Sequence, residues 1–180
     1  MTKSETRAKL KLLRAKIENR EEKEREIEKN FFSLSLNYKK VLVYIATNTE
    51  VSTNNIIKKL LSENIKVYAP KCIENGEMSF FRFNSLKDLE KGKFGILEPK
   101  ETECLDSTEN SICLVPALGF TLCGDRIGYG KGYYDKFLKK SSAISVGLCY
   151  NEQVCESIPT EKTDVKINFI ISNSVIQEVK

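Results

Sequence analysis

The stretch Leu114–Leu138, LVPALGFTLCGDRIGYGKGYYDKFL, decides how the rest of the chain is read. The apolar run from Ile112 to Phe120, holding Pro116 and Gly119, has the length and composition of a buried strand. A polar corner follows, then three glycines at alternate positions, Gly128, Gly130 and Gly132. The segment closes on Tyr133-Tyr134-Asp135 and a helix-like stretch ending near Lys140. A buried strand, a glycine loop and a helix start, in that order, suit an anion. Glycine lets the backbone approach a ligand closely, and the first turn of a helix offers free N–H groups and a positive dipole. One glycine would mark only a tight strand-to-helix turn. Three, with Arg126 and Lys131 alongside, point to phosphate.

The familiar nucleotide loops do not fit. A P-loop needs Gly, four residues, then Gly-Lys-Ser/Thr. Here the position five before Gly130 is Asp125, and Gly132 follows Lys131. The dinucleotide fingerprint Gly-x-Gly-x-x-Gly fails at its third glycine, where Tyr133 stands.

Composition narrows the chemistry further. At 180 residues the chain is expected to form one domain with a charged N-terminal helix, large enough to fold without disulfides. Its 41% apolar and 30% charged residues are those of a soluble globular protein. No apolar run approaches the roughly 18 residues of a membrane span. The charged start, Met1 to Glu5, resembles no secretory signal, so a cytoplasmic location is expected. None of the six cysteines forms a Cys-x-x-Cys pair; Cys113 and Cys149 sit in apolar runs and read as core. The sequence has no histidine, which excludes an imidazole base and makes the usual zinc sites improbable. A net charge of +4 favours anionic ligands only weakly, and the balance of acids and bases in the N-terminal helix argues against nucleic acid.

Along the chain, residues 3 to about 30 read as one long helix with apolar positions at Leu10, Leu13 and Ile17. Val41 to Ala46 is a β-branched strand followed by a polar loop, Thr47 to Thr53. Thr53 or Asn54 can cap a helix whose stripe is Ile56, Ile57, Leu60 and Leu61. Lys66 to Pro70 and Met78 to Phe83 read as a hairpin turned at Glu74-Asn75-Gly76-Glu77. Its aromatics read as core. Short helices are expected at Ser85 to Lys91 and Asn151 to Ser157, strands at Ala143 to Tyr150 and Ile167 to Ser172, and a polar linker over 100–110. Helices alternating with buried strands imply an α/β fold with a mostly parallel sheet. In such folds ligands gather at the carboxyl ends of the strands, which draws attention to Glu50 in the loop after the first strand.

The central stretch resembles the 5-formyltetrahydrofolate cyclo-ligase family. The resemblance rests on Val115-Pro116, Arg126-Ile127-Gly128 and Gly130-Lys131-Gly132-Tyr133-Tyr134-Asp135, and departs at Thr121, where the family usually carries Asp. It extends to Glu50-Val51-Ser52-Thr53, to Phe94-Gly95-Ile96-Leu97-Glu98-Pro99, and to Lys3-Ser4-Glu5-Thr6-Arg7 with Arg14 seven positions on, Thr6 replacing a Leu.

The resemblance implies a three-layer α/β sandwich of the isomerase/CoA-transferase type plus the long N-terminal helix. It implies ATP- and Mg2+-dependent conversion of 5-formyl- to 5,10-methenyltetrahydrofolate. By the same resemblance, Lys131 and Arg126 are catalytic, and ATP meets Lys3, Arg7, Arg126, Ile127, Gly128, Tyr129, Gly130, Lys131, Gly132, Tyr133 and Tyr134. Folate meets Ile45, Glu50, Tyr129, Gly130, Lys131, Gly132 and Tyr133, while Asp135 and Asp164 hold magnesium. A monomer is expected, with no membrane or nucleic-acid partner. Two alternatives stay open on residues alone: a nucleotide- or phosphate-binding regulatory protein without folate turnover, and a nucleic-acid binder using the basic helix.

Overall fold

The computed structural model describes residues 1–47, 49–73, 77–92 and 95–179. At its centre, β6 (Ser111–Val115) lies in a seven-stranded sheet between β1 (Lys40–Leu42) and β9 (Ile144–Leu148), parallel to both. β2 (Lys66–Cys72) runs parallel beyond β1, and β11 (Phe169–Ile171) parallel beyond β9. Antiparallel strands close both edges, β3 (Met78–Phe83) on β2 and β12 (Ile176–Glu178) on β11.

The inner strands carry apolar residues on both faces, as in Val41-Leu42 and Ile112 to Val115, because both faces of the sheet are covered. Val41, Val43, Ile112 and Leu114 join Ile27 and Phe31 of α2 (Arg20–Phe32) and Ile56, Ile57 and Leu60 of α3 (Asn54–Ser62). On the other face, Leu42, Cys113 and Val115 pack with Phe120, Ile167, Ile170 and Leu138 of α4 (Tyr133–Leu138). Cys113 and Cys149 are wholly buried, as their apolar surroundings suggested.

The N-terminal region is two helices rather than one. α1 (Lys3–Ala15) starts at a capping box between Thr2 and Glu5. It stops before Asn19, whose φ of 52° is left-handed, a conformation asparagine tolerates better than most residues. The break lets α1 reach a second core, although its Leu13 still packs against the main one. α2 turns Ile27 and Phe31 to the main sheet, whereas Leu10 of α1 packs with Leu118, Ile127 and Ile158.

The run Ile112 to Phe120 is also two strands. β6 ends before Pro116, and β7 (Gly119–Thr121) enters a small second sheet between β8 (Arg126–Ile127) and β10 (Val154–Cys155). Proline lacks the N–H needed to continue the central ladder. The β7–β8 turn is closed by Thr121: its hydroxyl accepts from Asp125 N at 3.1 Å, and its own N–H donates to Asp125 O at 2.9 Å.

Smaller departures follow the same logic. The first strand leaves the ladder after Leu42, although Val43 N still donates to Tyr68 O at 2.8 Å. The helix expected at 85–91 is a 3-10 turn, Leu86–Asp88, leading into β4 (Leu89–Lys91), which pairs with β5 (Leu97–Pro99). The helix expected at 151–157 is a 3-10 turn, Asn151–Gln153, before β10. The expected hairpin is β2–β3, with Phe80 and Phe83 buried; its turn residues 74–76, like Phe94, lie outside the described residues. The polar linker covers the β3 edge, where Arg82 N donates to Glu103 O and Leu105 N to Phe80 O, each at 2.8 Å. Among the described residues no helix is long and apolar enough to cross a membrane.

Candidate active site

The loop after β1 is fixed from within. The Tyr44 hydroxyl donates to Val51 O, and the Thr53 hydroxyl donates back to Tyr44 O, both at 2.8 Å. Thr53 therefore occupies the N-cap of α3 without using its side chain as a cap. This knot presents Glu50, which is only 7% exposed. Its Oε2 accepts from both the backbone N–H and the hydroxyl of Thr47 at 2.8 Å, and its Oε1 accepts from the Tyr129 hydroxyl at 2.9 Å. Arg20 Nη2 holds the Glu50 carbonyl at 2.7 Å. Glu50 is thus a buried carboxylate with donors on both oxygens. A carboxylate has about four lone-pair positions, so it can still accept more. Ile45 is half-buried beside the core under this loop.

The glycine loop meets that carboxylate through Tyr129. Gly130 and Gly132 carry φ values of 92° and 71°, a region side chains with a Cβ avoid. Lys131 between them is exposed and has no ion pair among the described residues. Arg7 Nε donates to Gly128 O at 3.0 Å and covers Gly130 so closely that a Cβ there would lie 3.2 Å from the guanidinium carbon. Arg14 is 3% exposed, and its guanidinium donates to Thr49 Oγ1, Ala117 O and the Tyr129 hydroxyl at 3.0, 3.2 and 2.6 Å. It locks the loop rather than facing solvent. The Ile127 side chain belongs to the small core beneath, so only its backbone is left to the loop.

At the far end of the loop the charges are paired. Arg126, its side chain only 6% exposed, has Nη2 2.7 Å from Asp135 Oδ1, but the contact is not aligned as a hydrogen bond, and Nε has no acceptor. The Tyr134 hydroxyl is also buried without a partner. Burial pushes that hydroxyl well up, followed by the thiol of Cys113 and the carboxylate of Glu50. Tyr133 is raised first by the neighbouring Cys72 thiol. Lys3 Nζ reaches Asp164 at 2.7 Å and Glu161 at 3.2 Å. Val165 N donates to Asp135 Oδ1 at 3.2 Å, which brings the segment of Asp164 against Asp135.

The family model for the 5-formyltetrahydrofolate cyclo-ligase family matches residues 1–173. The chain belongs to the 5-formyltetrahydrofolate cyclo-ligase family. It is 33% identical over 136 residues to the 5-formyltetrahydrofolate cyclo-ligase of Haemophilus influenzae, covering 72% of this chain and 73% of that one. With the Saccharomyces cerevisiae cyclo-ligase it shares 32% over 167 residues, covering 76% and 77% of the two chains. The solution structure of Aquifex aeolicus 5,10-methenyltetrahydrofolate synthetase superimposes with a TM-score of 0.88 at 32% identity, covering 100% of this chain and 94% of that one. Membership places the protein among the ligases of folate one-carbon metabolism.

The structure links Glu50 to the glycine loop through Tyr129 and Arg7 to the same loop at Gly128 by hydrogen bonds, while Arg126 stands at the loop's start in an ion pair with Asp135. Sequence reading missed the locks behind them, Arg14 on Tyr129 and Arg20 on the Glu50 carbonyl. One signal was available: Arg14 stands four residues after Leu10, on the buried stripe of α1 with Thr6. Magnesium takes hard oxygen ligands, commonly one or two carboxylates plus phosphates and waters. Asp135 and Asp164 are hard oxygen donors on adjoining segments, each paired here with a cation, Arg126 and Lys3; no group of three or more possible metal-binding side chains occurs among the described residues.

Proposed function

We propose that this protein, a single domain with the three-layer isomerase/CoA-transferase-like sandwich, cyclises 5-formyltetrahydrofolate to 5,10-methenyltetrahydrofolate, using ATP and magnesium and releasing ADP and phosphate. The observation that carries this reading is the 2.9 Å hydrogen bond from Tyr129 of the glycine loop to Glu50. It sets a carboxylate suited to the amino-pyrimidine edge of a pterin within one side chain of a loop suited to phosphates. Phosphoryl transfer from nucleotide to folate requires that adjacency.

A formamide is a poor electrophile and its oxygen a poor leaving group. Transfer of the γ-phosphoryl group to that oxygen gives an imidate phosphate; N10 of the folate then attacks the activated carbon, the ring closes and phosphate departs. Both nucleophiles belong to the substrate, so a chain without histidine suffices. The protein's part is to position the reactants and neutralise charge. Glu50 orients the pterin beside Ile45. The amides of Gly128 to Gly132, with Lys131, Arg126, Arg7 and Lys3, hold the phosphates. α4 has only six residues, so its dipole is short and the cations carry more of the work than a long helix would require. Asp135 and Asp164 would hold magnesium, which supplies charge neutralisation at the phosphates.

The test is the methenyl product, followed by its absorbance, from 5-formyltetrahydrofolate, ATP and magnesium. Nucleotide binding without product would favour a regulatory phosphate-binding protein instead.

A further inference from the structure

We propose that the Tyr129 hydroxyl is a latch on Glu50 which the folate must displace, so that the glycine loop governs entry to the folate end. The proposal rests on the reading of Glu50 as the pterin carboxylate. An amino-pyrimidine edge presents two parallel N–H donors and needs both carboxylate oxygens in line. Oε2 accepts two bonds from Thr47, of which the hydroxyl can rotate away, and that leaves Oε1 as the oxygen a distant residue can block. Tyr129 already donates to it.

Tyr129 is placed to let go. It is 44% exposed, and it stands between Gly128 and Gly130 at the loop's positive-φ bend. It is held at its tip by Arg14 Nη2 at 2.6 Å, and on its ring by the cations of Arg14 and Lys11 at 5.5 and 5.9 Å. Burial first, then the Glu50 carboxylate, raise the hydroxyl, which keeps it a proton donor over the physiological range. The same few residues face the proposed nucleotide, because Arg7 grips Gly128 O and overlies Gly130. A phosphate that draws Arg7 and the loop amides to itself pulls on Tyr129. Nucleotide binding and folate binding are then coupled, and the coupling is reciprocal.

The experiment is calorimetric titration of the full chain with 5-formyltetrahydrofolate, alone and with magnesium and a non-hydrolysable ATP analogue. Tyr129→Phe, at an exposed position, removes the hydroxyl and keeps the ring. It should bind the folate up to about 10-fold more tightly than wild type without nucleotide, the scale of one competing hydrogen bond to a charged group. The analogue should tighten folate binding by wild type and have little effect on the variant. Weaker or unchanged folate affinity in Tyr129→Phe overturns the latch. Glu50→Gln, titrated in parallel, separates the two ideas. If it keeps wild-type folate affinity, the reading of Glu50 fails; if it loses affinity while Tyr129→Phe does not tighten, only the latch fails.

Discussion

The two ends of the proposed site, one for folate and one for phosphate, are built on different principles. At the folate end Glu50 sits in a knot of neutral hydrogen bonds from Thr47 and Tyr129, with Tyr44, Thr53 and Arg20 fixing the backbone around it. At the phosphate end the contacts are mostly ionic, Lys3 to Asp164 and Arg126 to Asp135, around an exposed Lys131 and a buried Arg126 Nε that lacks an acceptor. The first arrangement fixes a shape before ligand arrives. The second holds charge that a polyanion can redistribute. Folate recognition should therefore be insensitive to salt and disrupted by single hydrogen-bond losses, while nucleotide recognition should respond to backbone shape, charge and ions.

The largest effect is expected in the loop backbone. Gly132→Val places a Cβ with no heavy atom within 4 Å, so its main cost is the φ of 71°; Gly130→Val also pushes on Arg7. Each should lower ATP affinity more than about 100-fold, because phosphate-facing amides turn away, while strain of roughly 1–3 kcal/mol leaves the fold standing. Lys131→Ala should cost less, since the amides remain. Nucleotide titration with thermal melting checks this; unchanged affinity in both glycine variants would remove the loop from the site.

Next comes the folate end. Glu50→Gln keeps shape but loses the charged acceptor, worth about 1.5–3 kcal/mol, so folate affinity should fall roughly 10- to 150-fold. ATP affinity measured without folate should hardly move. An equal fall for both ligands would erase the distinction between the ends.

A smaller change is expected from the acids. Asp135→Asn and Asp164→Asn should each raise the magnesium needed for turnover several-fold with little loss of thermal stability. Sharing one ion, they should combine in the double variant to less than the product of the single effects. A magnesium requirement unmoved by Asp164→Asn would leave Asp135 as the only protein ligand.

How much of this was legible depends on range. The glycine loop is local, and its spacing and cations could be read directly. Glu50 carried a weak signal, a lone carboxylate in a loop after a strand, and its place beside Tyr129 bridges 79 residues that no periodicity reports. The parallel sheet was legible from runs such as Val41 to Tyr44, apolar at every position. The break between α1 and α2 was not, because charged residues on both sides share one helical propensity and only the buried Ile17 and the left-handed Asn19 mark it. Pro116 was visible, but reading a single strand through it gave too little weight to the missing N–H.

The subtlest contrast lies in pH. Burial alone would lower Lys3 and raise Asp164, yet their mutual hydrogen bond, with help from Glu161, outweighs it: Lys3 ends above its ordinary 10.5 and Asp164 below 3.8. The carboxylate's contribution is complete above about 3.8 and is lost as pH falls through its lowered value. The amine's is complete below 10.5 and is lost as pH rises through its raised value. Both side chains keep about a fifth of their surface exposed, so screening limits the pair to about 1 kcal/mol or less. For a chain of this size that is roughly 2–4 °C in Tm. Lys3→Met should therefore melt slightly lower than wild type at pH 7, with the gap narrowing as pH drops below 3.8 and again in high salt. Thr47→Val, which cuts one hydrogen bond to Glu50 at the other end, should show a gap that salt does not close. If the Lys3→Met gap is as insensitive to salt and acid as the Thr47→Val gap, the phosphate end is held by packing and the two ends are not built differently.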